Sequence, residues 1–175
     1  MKKIKTPLKR SDIKNLKSGD EVLLTGTIYT ARDQAHKRLA QSLKKNKKLP
    51  FDLKGAVIYY CGPTKTPPGK ITGSCGPTTS RRMDEFTPCL LDKGLLAMIG
   101  KGSRSKEVAA AIRKNKAVYF LALAGCGALL SRCVRSSKAA AYRELGPEAV
   151  FRLEVVDFPL IVGIDSKGKG VYKQE

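Results

Sequence analysis

The chain has 175 residues, enough for one domain with its own core, and its 42% hydrophobic content excludes wholesale disorder. A formal net charge of +19 would suit polyanionic partners, but with no Trp, 6% aromatics and no zinc-finger or ribonucleoprotein-type motif, nucleic-acid binding has only charge behind it. No apolar run reaches the roughly 18 residues that span a bilayer, and the basic start MKKIKTPLKRSD lacks the apolar stretch of a secretory signal, so a cytoplasmic protein is expected.

Residues 1–10, with Lys2, Lys3, Lys5, Lys9 and Arg10, read as a basic flexible or docking arm ahead of a single domain over 11–175. Ser11 is placed to cap a short helix through Leu16, stopped at Ser18-Gly19. EVLLTGTIYT (21–30) is a strand, rich in β-branched residues. Thr30 and Asp33 then make a capping-box-like start to a helix over 31–45, where Ala31, Ala35 and Leu39 recur every fourth residue. AVIYY (56–60) is a strand that opens into Cys61-Gly62-Pro63 and a long Pro- and Gly-rich loop, a feature compact domains keep mainly for function.

After GSCGPTTS, RRMDEF (81–86) reads as the first turns of a helix capped by Thr78 or Thr79, and Pro88 opens a second short helix that Gly94 stops. LLAMIG (95–100) is a strand, SKEVAAAIRKN (105–115) a helix, and AVYFLALA (117–124) a central apolar strand. GCGALLSRCVRSSKAAAYREL (125–145) reads as helix with Gly146-Pro147 as its stop, and FRLEVVDFPLIVGID (151–165) as two strands divided at Pro159. Strands alternate with helices through the middle, while the strands at the ends can pair antiparallel. The expected fold class is α/β with a mixed sheet.

The chemistry gathers at three loop-to-helix junctions, where free N–H groups at a helix start favour carboxylates or phosphates. In the first, Arg32 and His36 lie four apart on one helical face, and a guanidinium there can grip a carboxylate through two hydrogen bonds. In the second, Gly76-Pro77 sets a turn before Thr78 and Thr79, and Arg82 follows Thr78 by four residues, so hydroxyl and guanidinium can meet on one small anion. The third is Gly100-Lys101-Gly102-Ser103, which lacks the rest of a Walker phosphate loop. The five cysteines (Cys61, Cys75, Cys89, Cys126 and Cys133) form no C-x-x-C, and with a lone His36 they read as small hydrophobes rather than metal ligands. The residues by themselves thus reach a binding site for a small carboxylate-bearing anion.

TGTIYTARDQAHKR, YYCGPTKTPPG, GSCGPTTSRRMD, IGKG and EVVDFPLIVGID follow one another over roughly residues 11–172 in an order that resembles the beta subunit of class I fumarase and L-tartrate dehydratase. The resemblance implies a swivelling β/β/α domain and an alpha partner subunit that binds a 4Fe-4S cluster, with no metal held by this chain. It implies a proton-transfer role for Thr78, and substrate-carboxylate binding by Arg32, Arg82 and Lys101, with His36 beside them. The implied reaction is reversible hydration of fumarate to malate, or dehydration of tartrate, by a cytoplasmic hetero-oligomer that is inactive without its alpha subunit. Arg81 stands where that family has a small residue. Two other readings stay open at this point: a polyanion-binding α/β module, and a stand-alone carboxylate-binding domain.

Overall fold

Apolar residues fall on both sides of the middle strands, and this dictates the architecture. In the computed structural model, which describes residues 1–172 and so leaves the last three residues of the expected domain outside the described residues, β3 (Val57–Tyr59), β4 (Ala97–Gly100) and β5 (Val118–Leu121) are buried almost throughout. Successive side chains point to opposite faces of a strand. Val57, Tyr59, Ala97, Ile99, Val118 and Phe120 accordingly join one core, while Ile58, Tyr60, Met98 and Tyr119 join a second. Strands covered on both faces are a property of parallel sheets flanked by helices.

Among the described residues the sheet has seven strands, in the order β1-β2-β3-β4-β5-β7-β6, with a further pairing between β2 and β7. Here β1 is Lys2–Lys5, β2 is Glu21–Thr30, β6 is Val134–Ala141 and β7 is Val150–Ile164. The β2–β3, β3–β4 and β4–β5 pairs are parallel, whereas β7 runs antiparallel to β5, β2 and β6. The β2–β7 pairing closes five strands into a barrel, and the first core fills its inside with Val22, Leu24, Ile28, Leu153, Phe158 and Val162 added. The second core lies outside, under α2 (Asp33–Lys44), α3 (Thr87–Asp92) and α4 (Lys106–Asn115). A mixed sheet flanked by helices is thus the observed fold class. Ser105 caps α4 by accepting the Val108 amide at 3.3 Å, and Lys116 ends it in the left-handed conformation.

Five expectations need correction. The basic start is no free arm: Lys2–Lys5 form β1, parallel to β2, and Ile4 and Leu8 are buried. The short helix that follows, α1, spans Arg10–Ile13 instead of running to Leu16, and Ser11 lies inside it instead of capping it. Thr30 does not cap α2. It ends β2, and its hydroxyl accepts the Phe151 amide at 3.0 Å. Residues 125–145 are not one helix; α5 covers only Gly127–Ser131, and β6 then pairs along β7. Residues 151–164 are not divided at Pro159, because β7 runs through it, with a register shift against β2 between Val155 and Phe158. Pro159 sits where β7 has left β6 and not yet reached β5. The Val162 amide bonds to Asp20 on the β2 side, so by alternation the position of Pro159 faces away from β2, and its missing N–H breaks no ladder bond.

Candidate functional site

All three junctions occur at the C-terminal ends of neighbouring parallel strands. β2 ends at Thr30, β3 at Tyr59 and β4 at Gly100, and these strands are adjacent in the sheet. Outside the carboxyl ends of such strands is where open α/β sheets place ligands.

Backbone bonds join the second and third junctions. The Thr78 amide donates to the Tyr60 carbonyl at 2.7 Å, and the Ser80 amide donates to the Lys101 carbonyl at 3.0 Å. Thr79 pairs with Lys101 as an isolated parallel bridge. Neither threonine caps a helix as expected; Ser80–Met83 is a 3-10 turn with no side-chain cap. Close approach here needs Gly100, since a Cβ on it would lie 2.0 Å from Ser80 Oγ and 2.9 Å from the Tyr60 ring.

A side-chain bridge joins the first junction to the second. Arg82 Nε donates to Asp33 Oδ1 at 2.8 Å, and Arg32 Nε lies 3.8 Å from Asp33 Oδ2. One carboxylate therefore sits between two guanidinium groups from distant parts of the sequence, which leaves an excess of positive charge before Lys101 is counted. Arg32 Nε and Asp33 Oδ2 are buried without a hydrogen-bond partner among the described residues. Arg32 lies across Gly62, where a Cβ would come within 3.0 Å of its Cδ. Thr78, Arg32 and Lys101 are half-buried and Arg82 is exposed, so all four can meet a ligand.

His36 is the exception. Its ring is fully buried, edge-on to Tyr60 at 5.1 Å, and its Nδ1 bonds the Arg32 carbonyl at 2.9 Å. The ring has no surface open to a substrate in this chain, and it meets the site through the Arg32 carbonyl and the Tyr60 ring. Burial pushes the imidazole pKa down to about 4; the Arg32 carbonyl opposes this, the Arg104 guanidinium adds to it, and Asp33 opposes it. The neutral ring thus donates from Nδ1 near neutral pH.

Sequence reading missed three groups. Asp33 reads in the sequence only as part of a helix cap. Arg104 follows the third junction and is 2% exposed, yet it holds Asp84 at 2.6 Å. Tyr119 sits in an apolar strand, and its hydroxyl lies 2.8 Å from Ser80 Oγ. A charged residue that is obliged to be buried carries no local signal in one sequence.

The long loop is pinned to α5 by close backbone contact: the Cys75 amide donates to the Gly127 carbonyl at 3.1 Å, and a Cβ on Gly127 would lie 2.8 Å from the Gly76 nitrogen. Cys61 and Cys75 are buried, and the neighbouring Cys75 thiol together with burial pushes the Cys61 thiol well up. Among the described residues no three His, Cys, Asp or Glu side chains gather as a metal-binding group. A cleft of 380 Å³ adjoins the site at Thr79, Lys101 and Leu123. A larger one, of 670 Å³, opens beside Lys54, Gly55 and Gly94, away from the junction residues.

The family model described as "Fumarase C-terminus" matches residues 2–175. A protein of Methanocaldococcus jannaschii provisionally named L(+)-tartrate dehydratase subunit beta is 43% identical over 95% of this chain and 89% of its own. The L(+)-tartrate dehydratase subunit beta of Escherichia coli is 36% identical over 98% of this chain and 87% of its own. The anaerobic class I fumarate hydratase of Escherichia coli is 40% identical over 86% of this chain, which spans only 28% of that longer protein. The chain belongs to the Fumarase C-terminus family, among the hydro-lyases that include class I fumarate hydratases and L(+)-tartrate dehydratase beta subunits.

Proposed function

We propose that this chain is the beta subunit of a two-subunit, 4Fe-4S-dependent hydro-lyase that adds water reversibly to fumarate, or dehydrates tartrate, in the cytoplasm. The observation that carries this reading is the meeting of Thr78, Arg32, Arg82 and Lys101 at the ends of adjacent strands, joined by Asp33 and the Thr79–Lys101 bridge. A dicarboxylate suits such a site: two guanidinium groups and an ammonium can hold its two charged ends. The relatives named above support both the reaction class and a hetero-oligomer with an alpha subunit. No helix among the described residues is long and apolar enough to cross a membrane.

Each residue then has one task. Arg32, Arg82 and Lys101 bind and orient the carboxylates. Thr78 moves the proton at the carbon next to a carboxylate. A hydroxyl is a weak base at its ordinary pKa, so Thr78 needs an activating neighbour, which this reading assigns to the alpha subunit. His36 keeps Arg32 in place through its carbonyl. Among the described residues no three His, Cys, Asp or Glu side chains gather to hold a metal, and this reading assigns the iron–sulfur cluster and its Lewis acidity to the alpha subunit.

The test is anaerobic hydration of fumarate and dehydration of tartrate by this chain, with and without its iron-reconstituted alpha partner. Turnover in the mixture alone is the expected result. A folded, cluster-loaded mixture that turns over neither substrate would overturn the proposal.

A further inference from the structure

We infer that Arg104 is a positioning residue: from beneath the site, its guanidinium fixes the segment that carries Thr78 and Arg82. The inference rests on the hydro-lyase reading for its kinetic consequence, though not for its geometry. Arg104 lies in the turn between β4 and α4, with a fully buried side chain. Its Nε donates to Asp84 Oδ1 at 2.6 Å, and its Nη2 donates to Thr87 Oγ1 at 2.8 Å and to the Tyr60 hydroxyl at 3.3 Å. The guanidinium carbon stands 5.2 Å from the Tyr60 ring centre and 4.9 Å from that of Tyr119.

Each of these partners holds the segment 78–84. Asp84 belongs to it, and its second oxygen accepts the Ser105 amide at 2.6 Å. Thr87 donates to the Met83 carbonyl at 2.8 Å. The Tyr119 hydroxyl bonds Ser80 and donates to the Gly102 carbonyl at 2.9 Å. The Tyr60 carbonyl accepts the Thr78 amide. Tyr60 also packs on His36, whose Nδ1 bonds the Arg32 carbonyl, so the same centre reaches the other arm of the site.

A buried ion pair adds little net stability, and apolar side chains of similar volume often serve as well. What a guanidinium adds is direction, because its fork donates along several fixed lines while an ammonium is a point charge. Lysine at position 104 would keep the charge and lose the simultaneous reach to Asp84, Thr87 and Tyr60.

The test uses the reconstituted two-subunit enzyme with Arg104→Lys and Arg104→Met, read by steady-state kinetics, thermal melting and hydrogen–deuterium exchange. A catalytic group misplaced by about 1 Å loses about 100-fold in rate. Both variants should lose turnover on that scale, mainly in kcat, and lysine should not rescue it. Exchange should quicken at amides 78–84 and stay as in the native protein in β2 and β7. A purely structural role predicts a lower melting temperature with kcat per folded enzyme and exchange at 78–84 both unchanged, and that result would overturn the inference. If native enzyme turns over neither substrate, the hydro-lyase reading fails and exchange alone decides the positioning role. If both Arg104 variants fail to fold, Tyr119→Phe carries the test: it keeps the charge and frees Ser80, so native kcat and native exchange at 78–84 in that variant would equally overturn the inference.

Discussion

His36 makes the stability of the fold depend on pH, and the size of the effect follows from burial. The ring has no exposed surface, and its pKa is lowered to about 4. In the unfolded chain a histidine titrates near 6.5, or about 2.5 units higher. Between these values the unfolded chain binds a proton that the folded protein does not. Stability therefore rises with pH across the window and is lost as pH falls from about 6.5 toward 4. The full loss is about 3 kcal/mol, a large share of the 5–15 kcal/mol that holds a typical domain together. The charged groups acting on the ring are Arg104 from the turn before α4 and Asp33 from the start of α2. Urea unfolding from about pH 7 to about pH 4.5 measures the slope. His36→Gln is the comparison, since its amide can still donate to the Arg32 carbonyl and has no proton to gain. Carboxylates held below their ordinary range, such as Asp20, Asp92 and Glu144, titrate in both proteins and cancel in the difference. Equal slopes in the two proteins would refute the argument, because they would mean that His36 is free to charge within the fold.

Three further outcomes are expected of the reconstituted enzyme or the isolated chain. Thr78→Ala should lower kcat about 100-fold or more while KM changes little, because proton transfer is felt in the transition state; native turnover in that variant would remove Thr78 from the mechanism. Arg82→Ala should raise KM, with Arg82→Lys recovering only part of the loss, since an ammonium lacks the planar fork with which Arg82 can hold Asp33 and still present paired donors to a second carboxylate. Gly100→Ala should destabilise the chain by about 1–3 kcal/mol in denaturant unfolding, because a Cβ 2.0 Å from Ser80 Oγ forces that segment away from β4.

Strand and helix positions in the middle of the chain were legible because periodicity and burial agree there. EVLLTGTIYT matches β2 residue for residue. Helix α4 starts behind its Ser105 cap and ends where the expected helix does, at Asn115. The failures share a cause. Residues 134–141, VRSSKAAA, carry alanine and lysine, which favour helix locally, but they lie along the free side of β7, where pairing outweighs propensity. KKIK shows one apolar residue among three lysines, too little contrast to mark a strand, and only the β2 edge beside it makes it one. The site was legible as a set of residues, because a glycine, a cation and a hydroxyl at a strand end have chemistry of their own. Its connections were not, since Asp33, Arg104 and Tyr119 act through partners far away in sequence.

The direction in which Arg32 points shows why residue and geometry came apart. Its neighbourhood is shaped by the part of the chain whose local structure was misread. Thr30, two residues earlier, is anchored to the start of β7 by the Phe151 amide. The 3-10 segment Arg143–Glu148 closes over the same corner: Glu144 pairs with Arg38, Glu148 accepts the Gln34 amide at 3.4 Å, and the Pro147 carbonyl lies where a side chain on Gly62 would be. Had residues 125–145 formed one helix, β6 would not exist, and the segment 143–149 would not be led back along β7 to this corner. Arg32 would keep its chemistry and lose its wall. A motif can therefore name a group suited to a carboxylate, while the closure of the barrel by the last strand decides where that group is held.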